Sequence, residues 1–299
     1  MGLGVLAGAC AMVCVGGSVA VSGLLADGPV LTGQAIRYAL ACLLLVLFAR
    51  ASGRPLMRPT GSEWLWLFGV AGLGLVVFNF ALVYGARHAE PAVLGVAVAC
   101  VPILLAVVGP LLEGRRPHPL ILAAALVVTC GAALVQGVGR TDGVGLGAAA
   151  VVLACEAGFT LLAVPVLRRH GPWGVSVHST WIAALVFTVL AIAKEGPTAV
   201  ADLTVQEVLV IGYLAVAVTA VAFVLWYSSV GRLGSARAGL LTGVAPLAAA
   251  ATGVALGAPV PPPLVWLGIA VVAAGLTIGL RPGGSRSGKQ PPLPSAHQP

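Results

Sequence analysis

Hydrophobic residues in this chain fall into long runs separated by short gaps that hold most of the charge. About 20 mainly apolar residues suffice to cross a bilayer as a helix. Broken at charges and at Gly/Pro clusters, the sequence yields ten such runs, over 3–25, 31–49, 64–86, 91–112, 119–138, 143–167, 173–193, 207–229, 236–257 and 263–280. The gaps between them, such as Arg50 to Glu63 and Lys194 to Gln206, are too short for separate domains. This pattern predicts an all-α membrane protein with ten transmembrane helices. Residues 281–299, rich in Pro, Ser and Gly, are expected to form a disordered cytoplasmic tail. Residues 1–26 contain no Lys or Arg, unlike the start of a secretory signal, so the first run is expected to stay as helix one.

Composition agrees. The chain is 59% hydrophobic and 8% charged, against about 25% charged in soluble globular proteins. Such a sequence cannot cover two soluble domains with polar groups, and its apolar content excludes intrinsic disorder. The net charge of +7 does not point to nucleic acid, because the basic residues lie in the gaps between spans. With the N-terminus in the cytoplasm, the inner segments hold Arg50, Arg54, Arg58, Arg115, Arg116, Arg168, Arg169, Arg232, Arg237, Arg281, Arg286 and Lys289. The outer segments hold Arg87, Arg140 and Lys194, and Arg37 falls inside a span. This bias orients the chain with both termini cytoplasmic. Trp64, Trp66, Trp173 and Trp226 are then expected near the inner interface and Trp266 near the outer one. The six cysteines lie inside apolar runs without metal-site spacing and are expected to be small buried hydrophobes.

The sequence also repeats. Residues from Ala92 to Gln136 recur at an offset of 144, with Gly95 on Gly239, Pro102 on Pro246, Pro119 on Pro263 and Gly131 on Gly275. Cys14–Gly17 pairs loosely with Cys155–Gly158, and Gly28-Pro29 with Gly171-Pro172. Each half, 3–138 and 143–280, therefore holds five spans. Five is odd, so the second half enters the membrane from the opposite side: two inverted five-helix repeats, the construction of many secondary transporters. Pro102 and Pro246 take equivalent places in helices four and nine, where each removes a backbone bond and is expected to kink its helix. The carbonyls four residues earlier, of Val98 and Thr242, lose their usual donor there.

Ten spans in two such halves resemble the EamA family of the drug/metabolite transporter superfamily. The resemblance covers residues 3–280 and rests on the stretch from Tyr84 through Ala92 and Pro102 to LLEGRRP at 111–117, on Arg37 in IRYALACLLLV, and on Trp226-Tyr227 through Gly239 and Pro246. One departure from the pattern is that Glu113 follows helix four whereas Gly257 occupies the equivalent place in the second half. The family implies a small-metabolite carrier, often an exporter, in the bacterial cytoplasmic membrane. It also implies a central cavity lined by both halves, with helices five and ten peripheral.

Polar groups inside spans carry the candidate chemistry, since a charge at the bilayer centre costs about 2.5–3.5 kcal/mol on insertion scales. Glu156 lies thirteen residues into its run and suits proton coupling or a substrate amine, with a protonated structural carboxyl as the alternative. Arg37 can reach inward to a carboxylate such as Glu156, or outward to the headgroups. Asn79 is a cavity candidate, Tyr84 either that or an interface aromatic, and His178 either a ligand or a packing residue. No metalloprotease, P-loop or nucleophile-elbow motif is present. The sequence thus predicts a secondary-active exporter, not an enzyme, for a small metabolite or amino-acid-like compound. It would be driven by a proton or a counter-substrate and need no cofactor or metal. A lipid-modifying membrane enzyme and a nucleotide-sugar carrier of the same superfamily stay as alternatives, and a homodimer stays open.

Overall fold

The computed structural model describes residues 1–22, 28–257 and 259–281. Of the segment expected to be disordered, 281–299, all but residue 281 lies outside them, as do residues 23–25 at the end of the first apolar run. Among the described residues there are ten apolar helices in chain order and no named strand. They are α1 (Gly2–Ser22), α2 (Val30–Ala51), α3 (Glu63–Gly85), α4 (Pro91–Leu112) and α5 (Pro119–Gln136) in the first half. The second half holds α6 (Gly143–Leu161), α7 (Val164–Lys194), α8 (Val205–Leu233), α9 (Ser235–Ala255) and α10 (Pro263–Gly279). Eight are long and apolar enough to cross a membrane, and the first and last are shorter apolar helices. The fold is all-α, with ten membrane helices in two inverted five-helix repeats.

Packing follows the repeat. The first helix of each half packs on the third and fourth helices of the other: α1 lies on α8 and α9, and α6 on α3 and α4. Helices α2 and α7 pair across the same axis, as do α5 and α10. Lipid gives apolar side chains no reason to leave it, so such contacts depend on close fit, which small residues permit. Gly158 faces Leu73 while Gly74 faces Phe159, a reciprocal fit that seats α6 on α3. Gly4 and Gly8 lie against Leu233 and Ser229, seating α1 on α8.

The helices are not uniform. Both α3 and α8 contain a π-helical stretch, Gly72–Val77 and Leu214–Val221. Advanced by 144, the first falls inside the second. Helix α4 breaks at Cys100 (φ −80, ψ −9) and α9 narrows to a 3-10 turn over Leu241–Gly243, each just before its proline. Proline has no N–H to donate and crowds the carbonyl one turn back, which loosens the turn before it. The side chain that answers the α4 break is Thr129 of α5, whose Oγ1 donates to the Ala99 carbonyl at 2.9 Å. The accepting carbonyl is that of Ala99, next to Val98.

Three local expectations change. The run 143–167 ends as a helix at Leu161; a turn follows, and a new helix begins at Val164, interrupted at Gly171 (φ 63, ψ 178). Trp226 is not an interface residue but 4% exposed, because its indole N–H donates to Thr160 Oγ1 of α6 at 2.9 Å. Of the free cysteines only Cys155 is buried; Cys10 and Cys130 face outward, where an apolar thiol meets lipid.

Candidate functional site

Between the Val30 end of α2, the Gly85 end of α3 and the middle of α8, five polar side chains form one hydrogen-bonded chain. Arg37 Nε donates to Thr219 Oγ1 at 2.9 Å, and Arg37 Nη1 to Gln34 Oε1 at 3.4 Å. Gln34 Nε2 donates to Asn79 Oδ1 at 2.9 Å, and Asn79 Nδ2 to the Tyr38 hydroxyl at 3.0 Å. Gln34 and Arg37 stand three residues apart and therefore meet on one helix face. Buried polar groups in a span need such partners, because hydrocarbon offers none.

The two π-helical stretches brace this chain from either end. A π turn carries one extra residue per turn and displaces backbone carbonyls from the α pattern. Thr219 lies inside the α8 stretch and donates to the Leu214 carbonyl at 2.9 Å. Asn79 Nδ2 also donates to the carbonyl of Leu75, inside the α3 stretch, at 2.6 Å. Tyr38, 1% exposed, stacks on Phe187 of α7 with centroids 5.6 Å apart and planes at 17°. The guanidinium of Arg37 lies over the same ring, 5.2 Å from its centroid.

Glu156 stands elsewhere. It is partly accessible on the packed face of α6 and forms no hydrogen bond or ion pair with any described residue. At 1.5 Å per residue it lies roughly 20 Å along α6 from Gly143, whereas Arg37 lies roughly 10 Å along α2 from Val30. The contact considered between Arg37 and Glu156 is not made: Arg37 takes neutral partners instead. One turn beyond Glu156 are Thr160, bonded to Trp226, and Phe159, packed on Phe223 and Tyr227 at 4.8 and 5.1 Å.

His178 belongs to a third cluster. Its Nδ1 receives the Trp181 indole N–H at 3.1 Å, and its Nε2 faces the Met57 carbonyl at 2.9 Å. Indole only donates and a carbonyl only accepts, so this network assigns a neutral imidazole with its proton on Nε2. Nearby, Glu63 accepts from Arg169, and its Oε2 lies 3.3 Å from buried His170 Nε2. Tyr84 is 54% exposed at the far end of α3, its ring 5.1 Å from that of His88. The structure therefore joins Arg37 to Asn79, and leaves Glu156, His178 and Tyr84 at separate places.

Loops brace both ends. On the side of Tyr84, Glu90 pairs with Arg140 at 2.8 Å and His88 with Asp142 at 3.0 Å, around a shallow recess of about 520 Å³. Arg140 holds the Glu90 carboxyl below its ordinary pKa, and the Gly145 N–H and then His88 do the same for Asp142. On the opposite side Ser235 donates to Glu113 at 2.9 Å, tying α9 to the end of α4. An apolar groove of about 570 Å³ runs along α1, α9 and α10 from Val5 to Arg281. Neither recess is lined by Arg37 or Glu156.

Gln34, Tyr38 and Thr219 were not singled out from the sequence. Gln34 carries a readable signal, a second polar residue one turn from an intramembrane arginine. Thr219 carries none, because threonine is ordinary in apolar helices and its partner, the π turn, leaves no mark in residue type.

Residues 2–136 and 143–280 each match the EamA-like transporter family. The chain is 27% identical over 251 residues to "Uncharacterized transporter YetK" of Bacillus subtilis (strain 168), covering 81% of this chain and 76% of that protein. A solved crystal structure described only as that of a protein has the same fold, with a TM-score of 0.79 at 20% identity. That match covers 93% of this chain and 97% of the other. With two family matches laid end to end over a ten-helix membrane fold, this chain belongs to the EamA-like transporter family and is a membrane transporter of the drug/metabolite transporter superfamily.

Proposed function

We propose that the protein is a secondary-active exporter of a small metabolite or amino-acid-like compound in the cytoplasmic membrane, with both termini cytoplasmic. The observation that carries this reading is the Arg37–Thr219 hydrogen bond. It joins the first half to the second inside the membrane. Any movement of one half against the other remakes the polar chain through Gln34 and Asn79, so a substrate held there senses both states. Alternating access then follows from the halves rocking about this level.

Glu156 supplies the coupling group in this reading. A carboxyl with no partner on the packed face of α6 takes up and releases a proton without breaking an internal ion pair. Its position on the other half's side of α3 and α4 lets it respond to the same rocking. Cells with and without the gene are compared for released and retained metabolites, and the released compound is loaded into proteoliposomes with an imposed pH gradient. Wild type is expected to concentrate it along the gradient, and Glu156→Gln to retain exchange while losing gradient-driven flux. Unchanged gradient-driven flux in Glu156→Gln removes proton coupling through this residue.

A further inference from the structure

We infer that Arg37 receives a carboxylate on the transported molecule, with Gln34 and Thr219 as positioning residues that aim its guanidinium. The inference rests on the transporter reading above and names the chemistry of the substrate it carries.

An arginine stays charged under all ordinary conditions, and in a span it is costly unless answered by an opposite charge. No ion pair among the described residues includes Arg37. The acidic residue nearest the start of its helix is already committed: Glu195 takes the N–H groups of Leu31 and Thr32 at 2.9 and 2.8 Å and the Thr32 hydroxyl at 2.7 Å. Glu156 sits at another depth and makes no ion pair. The positive charge is therefore held in place by neutral atoms alone.

The way it is held leaves it ready for a ligand. Of the five N–H donors of a guanidinium, Nε is bonded to Thr219 and one Nη1 hydrogen to Gln34. The other Nη1 hydrogen and both Nη2 hydrogens have no partner among the described residues, and as a fork Nη1 and Nη2 can each donate one of two parallel bonds to a carboxylate. Tyr38, below the guanidinium, is itself fixed by Asn79 and by stacking on Phe187. The fork thus has a set plane before any ligand arrives. A single guanidinium matches one negative charge, which favours a monocarboxylate over a phosphate group.

The test pairs the exported acid with its primary amide, nearly the same shape without the charge, in proteoliposomes holding the full chain. Wild type is expected to favour the acid by about tenfold or more in kcat/KM, as sites built for one polar group reject analogues lacking it. Arg37→Gln is expected to lose that preference, with kcat/KM for the acid falling to that for the amide. Arg37→Lys keeps the charge without the fork and is expected to retain part of the preference with a raised KM. Thr219→Val is expected to raise KM for the acid more than for the amide. Equal loss of acid and amide in Arg37→Gln and Arg37→Lys overturns the inference in favour of a purely structural arginine. A wild-type substrate with no acidic group overturns it while the transporter reading stands; absence of transport by wild type overturns both.

Discussion

Gly131 and Gly275 stand at the same position of the two repeats and mark the crossing of α5 and α10. A Cβ built on Gly131 falls 2.7 Å from the Val272 nitrogen and 2.8 Å from the Gly268 carbonyl; one on Gly275 falls 2.7 Å from a Val128 methyl and 3.0 Å from its nitrogen. The obstacles are largely backbone, which cannot move aside cheaply. Gly131→Val is therefore expected to part the two helices at an overpacking cost of about 1–3 kcal/mol. Thermal unfolding of the purified protein in detergent checks this; an unshifted midpoint rejects the close crossing.

The π-helical stretch of α3 separates two glycines that behave differently. Nothing lies within 4 Å of a Cβ on Gly72, whereas one on Gly74 meets the Phe159 side chain at 2.8 Å and its Cα at 3.0 Å. Gly72→Ala is expected to leave folding and transport near wild type, and Gly74→Ala to loosen α6 from α3. Thermal unfolding in detergent is expected to show a lowered midpoint for Gly74→Ala and an unshifted one for Gly72→Ala; equal midpoints reject the close approach of Gly74 to Phe159.

Acid is expected to loosen the loops around His88 and Asp142. The folded state lowers the Asp142 pKa through the Gly145 N–H and His88. A lowered carboxyl pKa adds stability that is complete above the unfolded value, about 3.9, and disappears as pH falls through the lower folded value. Hydrogen-exchange protection over 86–90 and 140–145, taken relative to the intrinsic rate at each pH, should fall on acidification below about pH 4 in wild type. In Asp142→Asn, which keeps a helix-capping side chain without the charge, that loss of protection should shrink. An equal response in both proteins assigns the effect to other groups.

What the sequence made readable, and what it hid, follows from which interactions leave a trace in residue type. A span must be apolar along its whole length, so ten runs announce ten helices. A helix crossing needs an actual missing side chain, so Gly131 and Gly275 announce both the repeat and the contact. Thr60 and Glu63 recur at the same offset as Thr204 and Glu207; the second pair forms a full capping box, and in the first Glu63 accepts from the Thr60 N–H at 2.8 Å. That T-x-x-E signal is legible in residue type. Trp226 misled because tryptophan suits an interface and a buried hydrogen bond equally, and only the Thr160 hydroxyl on another helix decides between them. The polar chain from Thr219 to Tyr38 depends on two π turns, a backbone property that no residue in 72–77 or 214–221 spells out.

Reporter fusions at three points test the inverted arrangement most directly: before Gly2, within the loop carrying Arg140, and after Leu280. The account predicts the first and third on the cytoplasmic side and the Arg140 loop on the opposite side, as two five-span halves require. Termini on different sides, or an Arg140 loop that shares their side, would contradict it.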